Sequence, residues 1–188
     1  MILVAGLAVV LISVVVFGGD LTRILELRIR WAQLPLGALA VQVLVINVLP
    51  AELPTVAAEG LHLATYVAAA VFVYANRHIA GLWLVAIGGG ANLAAISANR
   101  GRMPASANAL RIAGLHLASG FTNSGFVAHA RLPWLGDIFA VPRAWPLANV
   151  FSVGDILLVA GAFAVLHESC LSRLSASRRA GPISMAVA

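Results

Sequence analysis

Lysine is absent from this sequence, and all twelve basic residues are arginine. Cysteine occurs once, at Cys170, which excludes an intrachain disulfide and a cysteine metal cluster. Charge of either sign is scarce: Asp, Glu, Lys and Arg make up 10% of the 188 residues, against about 25% in an average soluble domain. So few charges do not cover the surface of a water-soluble protein of this size. The arginines are scattered between apolar runs rather than gathered in a patch, which argues against nucleic acid as a partner. Exclusive use of arginine has a second explanation in GC-rich coding.

What is present is apolar. Hydrophobic residues make up 61% of the chain, and the mean hydropathy is +0.97. Composition therefore predicts an integral membrane protein with the lipid bilayer as its principal partner. A spanning helix needs about 20 mostly apolar residues. The runs predict five spans at about 1–18, 34–49, 57–75, 79–98 and 150–167. The expected fold is an all-α polytopic transmembrane helix bundle, one domain over 1–188 with no internal repeat. The first run lacks a basic n-region and an A-x-A-like cleavage site, so it is read as a retained span.

Arginine placement predicts the direction. Arg23, Arg28 and Arg30 fall in the first loop and Arg173, Arg178 and Arg179 in the tail, while the second loop carries Glu52 and Glu59. That places the N-terminus outside and the C-terminus in the cytoplasm of a bacterial cytoplasmic (inner) membrane, in a multi-pass arrangement. The fourth loop, with Arg100, Arg102, Arg111, Arg131 and Arg143, runs against this assignment, and a crossing within 106–130 would reverse it. Two interfacial helices are expected in the first and fourth loops. One is "DLTRILELRIRW" with Asp20 as cap, the other "SANALRIAGLHLASGF" with Ser106 as cap. Trp134 and Trp145 suit anchoring at a headgroup level. Cys170 falls near the cytoplasmic boundary, where an inert thiol and an acylated one are the two readings.

Ionisable residues inside apolar spans suggest a site. The set is Glu59, His62 and Asp155, with His167 and Glu168 at the last helix end. Glu59 and His62 share a helical face, but a second copy of that pair is missing, so no metal and no cofactor are expected. His167 suits a helix C-terminus without further function. Gly88, Gly89 and Gly90 permit close helix packing, and Asn92 and Asn99, seven apart, face one side of their helix.

A Gly-Asp pair occurs twice, at Gly136-Asp137 and Gly154-Asp155, with Pro142 and Pro146 between them to turn the chain back. The two aspartates fall on the same side of the expected bundle. One reading makes Asp137 and Asp155 a catalytic pair sharing a proton, with Asn92, Asn99, Arg100 and Ser152 as supporting polar groups. The other puts Asp137 in a turn and Asp155 at a helix N-terminus, bonded to Asn92 or Asn99.

Four segments carry a resemblance: "GGD" at Gly18 to Asp20, "ANLAAISANRGRMP" at Ala91 to Pro104, "LPWLGDIFAVP" at Leu132 to Pro142 and "FSVGDILLVAG" at Phe151 to Gly161. In that order they resemble a bacterial multi-pass membrane family of unknown function, found in actinobacteria and related Gram-positive lineages. The resemblance implies a membrane location and no activity. A fainter likeness is to lipoprotein signal peptidase, an intramembrane aspartyl protease. Gly88 to Leu93 looks like its glycine-rich helix end, and Asp155 falls at a catalytic position with Asp137 upstream. Arg100 is the counterpart of the arginine that follows that family's helix motif. Ser152 stands where that family has asparagine, and Ala94 to Asn99 replace its acidic residue and arginine.

The expected function is a non-catalytic binding or accessory membrane component, with other membrane proteins or lipid-linked ligands as candidate partners. The alternative is an intramembrane aspartyl hydrolase using Asp137 and Asp155. Five helices without a repeat argue against a transporter.

Overall fold

The computed structural model describes residues 2–43, 55–99, 101–115, 124–125, 127 and 129–175. The chain opens with α1 (Ile2–Val16), a 3-10 turn at Leu21–Glu26, α2 (Gln33–Val43), α3 (Thr55–Ala75) and α4 (Leu82–Ala98). It continues with β1 (Met103–Pro104), α5 (Ala107–Ala113), β2 (Ser124–Gly125), a 3-10 turn at Pro133–Leu135, β3 (Asp137–Val141), β4 (Asn149–Ser152) and α6 (Val153–Ser169).

Local chemistry sets many of the boundaries. Asp20 starts the first 3-10 turn by accepting from the Thr22 amide at 2.9 Å. Ser106 starts α5 by accepting from the Ala109 amide at 3.1 Å, and Gly114 ends it in the left-handed region at φ +66°. Gly81 precedes α4 at φ +84°, where a Cβ would sit 2.9 Å from the Val165 amide nitrogen of α6. A side chain there would meet both backbone strain and a neighbouring helix.

Helix α6 is the axis of the packing. It lies against α4 along its length and against α1 on another side, while α2 pairs with α3. At the start of α6 the strands β3 and β4 form an antiparallel hairpin that pairs Asp137 with Ser152 and Val141 with Asn149. A bulge falls between Asp137 and Phe139. The Phe139 and Phe151 rings stack across the strands at 5.4 Å. Helix α5 covers the hairpin through Ala105, Ala109, Leu110, Ala113 and Val150, which form one buried cluster. A second cluster joins Ala95 and Ile96 of α4 to Met103, with Leu135 against it.

The five-span bundle is not what the described residues form; the end of the second expected span, 44–49, lies outside them. Among the described residues no helix is long and apolar enough to cross a membrane. Helices α1, α4 and α6 have 15, 17 and 17 residues, and at about 1.5 Å per residue they fall short of a hydrocarbon layer of about 30 Å. Helix α3 has 21 residues but carries Glu59, His62 and Thr65 in its run. The multi-pass placement in a bacterial inner membrane, N-terminus outside and C-terminus cytoplasmic, falls with the spans it rested on. The all-α assignment is corrected too, since β1 pairs with β2 and β3 with β4.

The excess of apolar residues ends instead partly on the surface, with Val4, Val9, Val15 and Val16 of α1 all more than half exposed. The residues taken as the start of the last span, 150–152, belong to β4, and α6 begins at Val153. Of the two expected interfacial helices, the first is the six-residue 3-10 turn; the described part of the second holds the seven-residue α5, and 116–121 lie outside the described residues.

Candidate functional site

Ser152 ends β4 and caps α6. Its Oγ accepts from the Asp155 amide at 3.0 Å, and the Asp155 Oδ2 accepts from the Ser152 amide at 3.0 Å. This reciprocal capping box satisfies two donors that a helix start otherwise leaves open. Asn92 of α4 closes the ring. Its Nδ2 donates to Asp155 Oδ1 at 3.0 Å, and its Oδ1 accepts from Ser152 Oγ at 2.8 Å. Asp155 is thus held by two donors and by the positive end of α6.

Glycine makes the reach possible. A Cβ on Gly154 would fall on the Asn92 side-chain oxygen and lie 2.7 Å from Gly88 O, and one on Gly88 would lie 2.6 Å from Gly154 O. The two helices touch through backbone at this point, which brings the Asn92 amide within bonding distance of the α6 start.

Asp137 joins from the hairpin. It is directly opposite Ser152 in the β3–β4 ladder and is 3% exposed. Directly opposed residues of an antiparallel pair project to one face. Its backbone oxygen accepts from the Ser106 amide at 3.0 Å, tying the loop before α5 to the same spot. The fold therefore gathers Asp137, Ser152, Asp155 and Asn92. Asn99 is elsewhere, and Arg100 lies outside the described residues, as do the side chains of Glu59 and His62 on α3.

The chemistry open to this cluster is limited by its bonding. The Ser152 hydroxyl is buried and donates to an amide oxygen rather than to a base. Among the described residues no group of three His, Cys, Asp or Glu side chains is placed to hold a metal ion.

Asn99 has a different task. Its Nδ2 donates to Ala95 O and to Arg131 O, each at 2.7 Å, and its Oδ1 accepts from the Arg131 amide at 2.8 Å. Asn76, at the end of α3, repeats this arrangement. It donates to Phe72 O and Arg30 O and accepts from the Arg30 amide, all at 2.8 Å. Both asparagines are buried and clamp the backbone of one arginine as a strand neighbour would, and each clamped arginine precedes a residue with positive φ, Trp31 at +56° and Leu132 at +51°. The signal was in the sequence as the tripeptide Ala-Asn-Arg, which stands at Ala75 to Arg77 and again at Ala98 to Arg100.

His167 locks α1 to the end of α6. The Ser13 hydroxyl donates to Val10 O at 2.7 Å, so its 2.9 Å contact with His167 Nε2 is one in which the ring donates. Nδ1 then accepts from Ser172 Oγ at 2.6 Å. The ring is neutral and 2% exposed, and burial holds its pKa below the ordinary value. The unfolded chain takes up this proton at higher pH than the folded one. His167 therefore contributes stability that is complete above about pH 6.5 and is lost as pH falls below it. Thermal unfolding is expected to show rising stability from pH 5 to 7, and His167→Gln is expected to flatten that slope. Next to it, Cys170 is 1% exposed, and burial, with Asp20 nearby, pushes its thiol up. Burial and a raised pKa both work against modification, which needs an accessible thiolate.

A protein of Thermotoga maritima described as an uncharacterized protein is similar to this chain, with 36% identity over 93 residues, 50% of this chain and 54% of the relative. The chain thus spans about half the length of the curated relative it matches. No solved structure matches. A family model described as "Family of unknown function (DUF5317)" matches residues 26–167, a stretch that contains α2 to α5, the β3–β4 hairpin, both asparagine clamps and the Asn92–Ser152–Asp155 ring. With three quarters of its length inside that match, the chain belongs to the DUF5317 family.

Proposed function

We propose that this chain is a non-catalytic binding component in which Asn92, Ser152 and Asp155 serve as a clasp between α4, the hairpin and α6. The observation that carries this reading is that both carboxylate oxygens of Asp155 are committed to scaffold donors, the Ser152 amide and the Asn92 side chain. A carboxylate that works on a substrate keeps an oxygen for it and is often a liability to stability, so replacing it tends to stabilise. A clasp behaves in the opposite way. Asp155→Asn is expected to lower stability by about 1–2 kcal/mol, the usual cost of a lost cap and a charged hydrogen bond. Denaturant unfolding measures it, and an Asp155→Asn variant more stable than the wild type overturns the reading.

One observation favours a second reading, an aspartyl hydrolase: buried Asp137 stands opposite the residue that Asp155 caps. Two carboxyl groups meeting there would share a proton and divide the acid and base roles. Its expected result is hydrolysis of an internally quenched peptide library that Asp137→Asn and Asp155→Asn both abolish without a change in Tm. No hydrolysis by the wild-type chain removes this reading.

A further inference from the structure

We propose that the groove between Arg30–Trp31 and the last turns of α3 is a binding site for an amphipathic anion, an acyl or aromatic body bearing a carboxylate or phosphate head. It stands on different residues from the clasp, so the two proposals fail separately. Asn92 is ten residues beyond the first residue of α4, about 15 Å along the helix from the end nearest this groove.

The cavity holds about 820 Å³, within the range of roughly 300–1,000 Å³ typical of small-molecule sites. Ala70 and Val71 supply apolar surface, Trp31 and Tyr74 aromatic surface, and Arg30 and Arg77 charge. Among the described residues no carboxylate lines it. The aromatic side chains are open, Trp31 55% and Tyr74 69% exposed, in a position to cover a ligand rather than a core. The Arg77 guanidinium sits 4.6 Å from the centre of the Tyr74 ring, and its Nη1 donates to Tyr74 O at 3.0 Å. That contact orients the cation and leaves its other donors to a ligand.

The opposite edge is equally fixed. Asn76 holds both the amide and the carbonyl of Arg30 at 2.8 Å. The clamp supports Trp31 at φ +56°, a conformation that a bulky side chain rarely adopts and that is sustained where the surroundings impose it. Two cations and an apolar, aromatic surface on a preorganised backbone match an amphiphile whose head is anionic. They do not match a cationic or neutral one.

The test is direct binding to the full chain by isothermal titration and by tryptophan fluorescence, with Trp31→Phe as the control for the fluorescence signal. The probes are decanoate, 1-decanol and decyltrimethylammonium, each below its micellar concentration, and soluble dihexanoyl phosphatidic acid. Decanoate, dihexanoyl phosphatidic acid or both are expected to bind saturably; decanoate alone assigns a free acyl anion, and the phosphatidic acid alone assigns a lipid headgroup. Arg30→Gln and Arg77→Gln are expected to weaken that binding about tenfold each, the loss of one charge-assisted contact. Both change exposed side chains and leave the Arg30 backbone clamp in place. Ala70→Phe, which fills the groove from exposed α3 surface, is expected to abolish binding. The proposal is overturned if 1-decanol or decyltrimethylammonium binds as tightly as the anions, if neither anion binds, or if the arginine variants or Ala70→Phe leave affinity unchanged.

Discussion

Gly154→Ala is expected to lower the stability of the chain by about 3 kcal/mol, the upper end of the usual cost of overpacking. The added methyl falls on the Asn92 side-chain oxygen, which the Ser152 hydroxyl holds in place, and against the backbone oxygen of Gly88. Relief requires α4 and α6 to move apart, and that movement also breaks the Asn92 bonds to Ser152 and Asp155. Gly88→Ala meets the Gly154 oxygen at 2.6 Å and is expected to behave alike. Gly89 and Gly90 are the built-in controls, since a Cβ at either meets nothing within 4 Å. Alanine there is expected to stabilise by about 0.5–1 kcal/mol, through helix propensity alone. Denaturant unfolding followed by far-ultraviolet circular dichroism measures all four variants. Equal effects at Gly88 and Gly89 would sink the close-approach account.

The second large effect is expected at Asn76. Asn76→Ala removes three hydrogen bonds at a residue with no exposed surface and leaves the Arg30 amide without its acceptor. The expected loss is about 3 kcal/mol, in line with stranding buried polar groups. Asn99→Ala removes the matching set around Arg131, and a loss of similar size is expected there. The two variants also separate local from global consequences. Asn76→Ala is expected to loosen the Arg30–Trp31 segment and with it the anion groove, whereas Asn99→Ala releases Arg131 in the segment before the hairpin. Thermal unfolding gives the stability, and hydrogen exchange of the Arg30 and Arg131 amides gives the location. A protected Arg30 amide in Asn76→Ala contradicts the clamp.

The three groups of the clasp, and Asp137 opposite Ser152, were legible in the sequence as members of one candidate site, but their bonding pattern was not. Asn92, Asp137, Ser152 and Asp155 all stood out in the sequence as polar groups in apolar company. Asn99 was grouped with Asn92 because a spacing of seven places both on one helical face. That face is about 10 Å long between them, and it meets α6 at one end and the Arg131 segment at the other. Periodicity gives a direction around the helix and says nothing about which neighbour lies there. Asp155 as a first-turn residue bonded to Asn92 was one of the two sequence readings, and it follows from the preference of a helix start for a negative side chain. The membrane expectation failed for a different reason. Composition counts how much apolar surface a chain has, whereas crossing depends on the length and the uninterrupted apolar run of each helix. Glycines, caps and strand pairing cut α1, α4 and α6 short, and α3 carries polar residues in its run.

By itself the sequence determined what is local: the helix starts at Asp20 and Ser106, the turn between Pro142 and Pro146, and the glycines that allow close contact. These depend on hydrogen bonds and backbone preferences within a few residues of each other. Only the tertiary structure decided that Ser152 ends a strand, that Asp137 stands across from it, and that Asn76 and Asn99 hold distant arginines by their backbones. Those contacts join residues 15 to 46 positions apart. No local rule reaches across such separations; they are fixed by which helices the small residues allow to touch.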